Sequence, residues 1–365
     1  MRDNTAPVFN GLRWKSARLW LTLAAAAFMY AAPSTAHAKP PNGAFVTFDV
    51  PGGAQDLFPN YITPAGVVTG NYDIVVNNNF VSFGFLRQAD GSLITINIPG
   101  STSTSVGVGF EFFAGPPINP AGAITGSYSD TSAATHGYVR APNGMFTTFD
   151  APGAVNGTFS ICITPTGAIV GASFDAKFVG HGFLRAPNGI FTAFDPPGSI
   201  QTIPTSINPA GVITGLFSDT SGATHGFVRA PDGSFATFDA PGAVNFTQPN
   251  GINPTGAITG YFADANGDHG FLREPDGTIT TFDVPGFIFL GAIAGSINPA
   301  GAIAGLYFDK TGFHVFVRAP DGTFTTVDPP GSTGTEGQNI NPAGAVTGFY
   351  FDASNAEHGF IFFPH

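Results

Sequence analysis

The chain has 365 residues, with 13 Lys and Arg against 24 Asp and Glu, a net charge of −11 at pH 7. So acidic a balance excludes nucleic acid and anionic membrane surfaces as partners, and suits an exported protein or a binder of cations. The single cysteine, Cys162, excludes an internal disulfide, so packing alone has to stabilise the fold.

The N-terminus reads first as an address. Arg2, Arg13, Lys15 and Arg18 form a basic region, and Leu19 to Ala32 is an apolar run too short to span a bilayer. Ala36-His37-Ala38 is a small-x-small cleavage site. Residues 1–38 are expected to be a signal peptide and 39–365 a single domain, secreted or periplasmic, with no membrane span after cleavage. Both tryptophans, Trp14 and Trp20, lie in the leader; its removal leaves 9 basic against 23 acidic residues.

From residue 41 the chain repeats. Pro41-Asn-Gly-Ala-Phe-Val-Thr-Phe-Asp49 has the pattern of a repeat's last strand without its predecessors. The irregular first full copy follows, with Phe83-Gly-Phe-Leu-Arg87, a predicted loop at Val75 to Asn79 and an insertion around Ser101 to Phe113. Next come five complete phrases: His136-Gly-Tyr-Val-Arg140, His181-Gly-Phe-Leu-Arg185, His225-Gly-Phe-Val-Arg229, His269-Gly-Phe-Leu-Arg273 and His314-Val-Phe-Val-Arg318. The chain closes on His358-Gly-Phe-Ile-Phe362. Successive histidines are 45, 44, 44, 45 and 44 residues apart, the period of a β-propeller or solenoid.

One unit shows the elements. Ala257 to Phe262 and His269 to Arg273 are rich in β-formers, Pro275-Asp-Gly277 turns into Thr278 to Asp283, and a short strand ends at Ser296-Ile-Asn298. Four short strands in about 44 residues make one propeller blade, and helical periodicity is absent. Proline presets φ for a type I turn, and glycine takes the left-handed position that ends a three-residue hairpin. Pro-Gly pairs recur at Pro51, Pro99, Pro152, Pro197, Pro241, Pro285 and Pro330. Pro-x-Gly recurs at Pro64, Pro120, Pro165, Pro209, Pro254, Pro299 and Pro342. Seven of each predict an all-β, seven-bladed propeller of four-stranded blades. With strands a to d running outward from the axis, the N-terminal strand is expected to supply strand d of the seventh blade. That pairing closes the ring on the C-terminal strands and removes two sheet edges.

The strongest side-chain pattern is a histidine followed 14 residues later by aspartate: His136/Asp150, His181/Asp195, His225/Asp239, His269/Asp283 and His314/Asp328. The hairpin register sets each pair directly across strands c and d, and closure predicts His358 against Asp49. In the degenerate copy both members change together, to Phe83 and Asn97. An enzyme needs one site, whereas this pair occurs six times; the expected role is a structural bond orienting each outer hairpin. A second acidic series, Asp130, Asp175, Asp219, Asp264, Asp309 and Asp352, with Asp73 one place early, follows strand b. Those loops emerge on the same face, crowding carboxylates that suit Ca²⁺ or a cationic ligand. The competing reading is that each Asp caps its own turn. Only Asp264, Asn266 and Asp268 approach Ca²⁺-loop spacing, and His269 stands where glycine is wanted. No other cofactor is evident, and no phosphate loop, nucleophile elbow or zinc motif occurs. The phrase arginines are expected to cover apolar surface, and its Phe and Tyr to pack between blades. Cys162, between Ile161 and Ile163, reads as a buried apolar residue.

Together the His-Gly-Phe-x-Arg phrase, the Asp/Asn-Gly turn, the Phe-Asp-x-Pro-Gly end and the Ile-Asn-Pro-x-Gly connection resemble the extracellular HAF-repeat family over nearly all of 41–365. In that family the tripeptide is His-Ala-Phe; here glycine mostly replaces alanine, and Val315 does so once. The resemblance implies an exported repeat protein and carries no catalytic residue; no surface-anchoring segment is expected after the closing strand. Three functions follow as expectations. First is a monomeric binding or interaction module for an extracellular protein or glycan. Second is a lectin-like propeller, which wants exposed aromatics that Ser129 to Thr135 and Ser218 to Thr224 lack. Third is a lyase or hydrolase at the axial pore, whose symmetry-breaking candidates are Asp56, Glu111, Lys177, Lys310, Glu336 and Glu357.

Overall fold

A computed structural model describes residues 43–52, 54, 56–77, 79–107, 115–288 and 291–364. Residues 1–38, expected to be a signal peptide and carrying Trp14 and Trp20, and residues 108–113 of the insertion, with Glu111, lie outside the described residues. Seven four-stranded antiparallel sheets form a seven-bladed β-propeller. Blade 3 is typical, built from Thr158–Ile163, Ile169–Phe174, Gly180–Arg185 and Phe191–Phe194 in that order from the axis outward. The phrase aromatics Phe85, Tyr138, Phe183, Phe227, Phe271, Phe316 and Phe360 are all essentially fully buried. Each one's burial stabilises the fold by about 2–3 kcal/mol.

Turn chemistry sets the blade geometry. At the c–d turn of blade 2, Ala141 N donates to Met145 O at 2.8 Å and Gly144 N to Ala141 O at 2.9 Å, with Gly144 at φ 91°. That left-handed angle disfavours any side chain. At the a–b turns Asn119, Asn208, Asn253, Asn298 and Asn341 do two jobs. Their Oδ1 accepts the amide four residues on, as from Ala302 N to Asn298 at 2.9 Å. Their Nδ2 donates to the next blade, as from Asn253 to Asn298 O and from Asn298 to Asn341 O. Thr63 and Thr164 occupy this position in blades 1 and 3; their hydroxyls keep the turn bond but have no amide to donate onward.

The ring closes as the split repeat predicts. Ala44–Phe48 is the outer strand beyond Glu357–Phe363, in register from Ala44↔Phe363 to Phe48↔Gly359. Blade 7 is also tied to blade 1 by Asn341 Nδ2 donating to Thr63 O at 3.0 Å and Leu57 N donating to Glu357 Oε1 at 2.8 Å.

Two local expectations change. The blade 1 loop at Val75 to Asn79 is mostly strand: Val68–Val76 and Asn79–Arg87 stay paired out to Val76↔Asn79. The irregularity placed from Ser101 onward starts later, because Ser103–Val106 pairs normally as the inner strand of blade 2. The described chain resumes at Gly115, and Ile118 bridges Ile124. Gly115 N donates to Thr205 O of blade 4 at 3.0 Å, and Pro116 O accepts Ile163 N of blade 3 at 2.8 Å. A stretch belonging to blade 2 therefore lies against the inner strands of the next two blades.

Three departures from the repeat are one packing event. In most blades the glycine of the phrase makes room for an outer-strand aromatic: a Cβ at Gly182 would lie 2.4 Å from Phe194 Cε2. That aromatic then carries the next blade's arginine, with Arg229 at 5.0 Å from the Phe194 centroid and Arg185 at 4.6 Å from that of Phe149. At the blade 6–blade 7 boundary Val315 replaces the glycine, Val327 the phenylalanine and Phe362 the arginine. Gly337 of blade 7 supplies the space, since a Cβ there would be 2.6 Å from Val315 Cγ1.

Candidate functional site

The loops joining strands b–c and d–a share one face, since the strands alternate in direction. On that face each of the six histidines stands between two carboxylates. His136 Nδ1 is 2.8 Å from Asp150 Oδ1, His181 Nδ1 2.8 Å from Asp195 Oδ2, and His225 Nδ1 2.8 Å from Asp239 Oδ1. His269 Nδ1 is 2.8 Å from Asp283, His314 Nδ1 2.7 Å from Asp328, and His358 Nδ1 2.6 Å from Asp49. The other ring nitrogen faces the b–c aspartate. Nε2 lies 3.5 Å from Asp130, 3.9 Å from Asp175, 3.4 Å from Asp219, 3.0 Å from Asp264, 3.2 Å from Asp309 and 3.5 Å from Asp352. In five blades the imidazole also rests on a strand-b aromatic, such as Tyr128 at 5.1 Å; in blade 3 Ser173 stands opposite His181.

Beyond the shared face expected from the sequence, the structure joins the two acidic series through the histidine. The signal was present: each b–c aspartate precedes its histidine by five or six residues. In four blades turn capping and histidine contact use different oxygens of one carboxylate. Asp130 Oδ1 accepts from Ser132 N at 2.8 Å and Ala134 N at 2.9 Å, while Oδ2 faces His136.

Only a protonated ring donates from both nitrogens. For His225, His269, His314 and His358, burial pulls the pKa down, but bonds and charges from both aspartates outweigh it and the net shift is upward. Asp219 and Asp352 are lowered to about 2, chiefly by the Ser221 and Ser354 hydroxyls. The outer aspartates keep exposed oxygen: the side chains of Asp49 and Asp150 are 70% and 55% exposed. In blade 1 Phe83 stacks on Tyr72, and Asn97 accepts from Ser101 and Thr104 instead.

The Asp264–Asp268 loop does not gather its oxygens. Asp264 Oδ1 accepts from Asn266 N and Gly267 N and faces His269, while Asp268 sits in the following strand opposite Ala263. Strand alternation turns Asp268 away from His269. Among the described residues no three His, Cys, Asp or Glu side chains are arranged to hold a metal ion.

The pore candidates among the described residues do not converge. Lys177 and Lys310 lie on b–c turns, Asp56 pairs in register with Asp73 at the edge of blade 1, and Glu357 accepts from Leu57 N. Glu336 is the exception: it is buried in the inner strand of blade 7, and burial lifts its carboxyl to about 7.

At the opposite, a–b turn face lies an axial cavity of 550 Å³. Seven prolines collar it: Pro64, Pro120, Pro165, Pro209, Pro254, Pro299 and Pro342. Their spacing signals a turn role only, because the axis gathers residues about 44 apart.

No family model and no curated protein sequence matches the chain. Among solved structures it is similar to a streptogramin B lyase, at 14% identity and TM-score 0.59, over 89% of this chain and 99% of that one. A catalytically inactive virginiamycin B lyase from Staphylococcus aureus with quinupristin aligns at 12% identity and TM-score 0.59, over 89% and 100%. An acylaminoacyl peptidase from Pyrococcus horikoshii aligns at 10% identity and TM-score 0.53, over 86% of this chain and 52% of that one. At these identities the likeness shows the fold alone: a β-propeller.

Proposed function

We propose that this protein is an exported, monomeric binding module of the HAF-repeat type that holds a cationic extracellular partner on its b–c and d–a loop face. One observation carries the reading: an Asp-His-Asp group recurs at the same place in six blades. The histidine and turn bonds fix the loops, while exposed carboxylate oxygens project a shared negative field. Repetition of that kind serves multivalent attachment better than a single reaction.

The test is binding of fluorescently labelled octalysine against octaserine, by anisotropy, over a salt series. Octalysine alone should bind, weakening steeply with salt, and Asp150→Asn with Asp239→Asn should weaken it further. Equal binding of both peptides, or affinity indifferent to salt, refutes the reading.

A second reading, a lyase or hydrolase acting near the axis, is favoured by Glu336. A carboxyl lifted to about 7 sits in the range a general acid or base uses. Turnover of quinupristin, the ligand of the virginiamycin B lyase complex, that Glu336→Gln abolishes without unfolding would support it.

A further inference from the structure

We propose that the axial cavity at the a–b turn face is a binding site for an uncharged aromatic small molecule. This site is separate from the acidic rim and does not depend on the reading given for it.

The repeats keep their phrase and turn residues but differ along the inner strands that form this wall. Every inner strand or its continuation ends on isoleucine: Ile62, Ile118, Ile163, Ile207, Ile252, Ile297 and Ile340. The residue just before it is Tyr61, Pro117, Cys162, Ser206, Gly251, Ser296 and Asn339 in turn. Five of those variable positions, Tyr61, Ser206, Gly251, Ser296 and Asn339, line the cavity. A stacking requirement alone would favour one residue type throughout, as it does at the isoleucines. Sevenfold symmetry is broken again here by the blade 2 stretch at Gly115. Gly115 reaches Thr205, where a Cβ would fall 2.3 Å from Ser206 Oγ and 3.0 Å from Cys162 Sγ.

Chemistry narrows the ligand. The cavity's size suits a small organic molecule. Arg140, at the c–d turn edge, is the one charged residue among its described lining, so a cation would be desolvated with no counter-charge and an anion with only that guanidinium at the edge. Among the described residues Tyr61 Oη, Ser206 Oγ and Asn339 Nδ2 make no hydrogen bond, while Asn339 Oδ1 accepts from Ile62 N. They offer a few directional polar contacts within an otherwise apolar wall. Burial holds the Tyr61 hydroxyl up at about 12, with the Cys162 thiol nearby adding to the effect, so it is a neutral donor. The proline collar presents saturated rings of the kind that pack on aromatic faces.

The test uses three molecules of one shape on the purified protein: 2-naphthol, 2-naphthalenesulfonate and 2-naphthylmethylammonium, by equilibrium dialysis. 2-Naphthol should bind saturably at one site, and both ions at least about tenfold more weakly. Tyr61→Phe, which keeps the ring, should weaken 2-naphthol about fivefold to tenfold. Ala65→Trp, on an exposed collar turn, should block it with the circular dichroism spectrum unchanged. Asp150→Asn, on the other face, should leave it as it was. The proposal is overturned by equal binding of the three, by no saturable binding, or by indifference to both cavity substitutions. Loss on Asp150→Asn would place the ligand on the acidic rim instead.

Discussion

Replacing Gly182 by valine probes how the blades interlock. The new Cβ would stand 2.4 Å from Cε2 and 2.7 Å from Cζ of Phe194. That ring has little room to move, because it packs against Phe227 and Phe235 at 6.3 and 6.2 Å and carries Arg229 at 5.0 Å. Overpacking of this kind should destabilise by about 3 kcal/mol. Phe194→Val alone opens a cavity and removes the arginine's platform, also about 3 kcal/mol. Blade 6 shows that the two changes belong together, since Val315 and Val327 are both fully buried and Val327 N donates to Val315 O at 2.9 Å. The Gly182→Val, Phe194→Val double variant should therefore lose about 3 kcal/mol, against roughly 6 kcal/mol for independent sites. Urea denaturation followed by far-ultraviolet circular dichroism measures this as midpoints at constant slope. A double variant that falls at the sum of the two singles refutes the reasoning.

Further predictions concern the rim, the a–b belt and the leader. His225, His269, His314 and His358 have folded pKa values above their unfolded ones. Their contribution is complete below the unfolded value of about 6.5 and is lost as pH rises through the folded values. The urea midpoint should fall from about pH 6 to about pH 8, and His225→Gln with His358→Gln should flatten that fall; a midpoint that climbs contradicts it. Asp130, Asp175, Asp219, Asp264 and Asp352 are shifted down. Their contribution is present above about pH 4 and lost as pH drops through the folded values, so stability should also decline in acid. Asn298→Thr should keep the turn, as Thr63 and Thr164 do, and lose the bond to Asn341 O, for about 1 kcal/mol by urea denaturation. Asn298→Ala should lose more than that. N-terminal sequencing of the exported protein should begin at Lys39; retention of residues 1–38 would rule out cleavage.

Blade number and closure were legible because their signals are local. Each Pro-Gly and Pro-x-Gly marks a turn within a few residues of itself, and the two halves of blade 7 carry the halves of one repeat. The rim was half legible: a fixed 14-residue interval defines one face of each histidine, but the five- or six-residue interval to the b–c aspartate crosses a turn that masks it. Val315, Val327 and Phe362 lie on separate stretches of chain, so only blade contact brings them together with Gly337. The axial cavity was least legible. Its wall combines strand ends far apart in the chain, at positions where no residue type is common to the repeats, so periodicity carries no trace of it.

The rim reading is tested most directly by ¹⁵N spectra of the histidine rings, recorded through a pH titration with and without octalysine. His225, His269, His314 and His358 should hold the second ring proton to higher pH than an ordinary imidazole near 6.5, and should shift together when the peptide binds. Rings that titrate like free imidazole, or peptide binding that moves none of them, would contradict it.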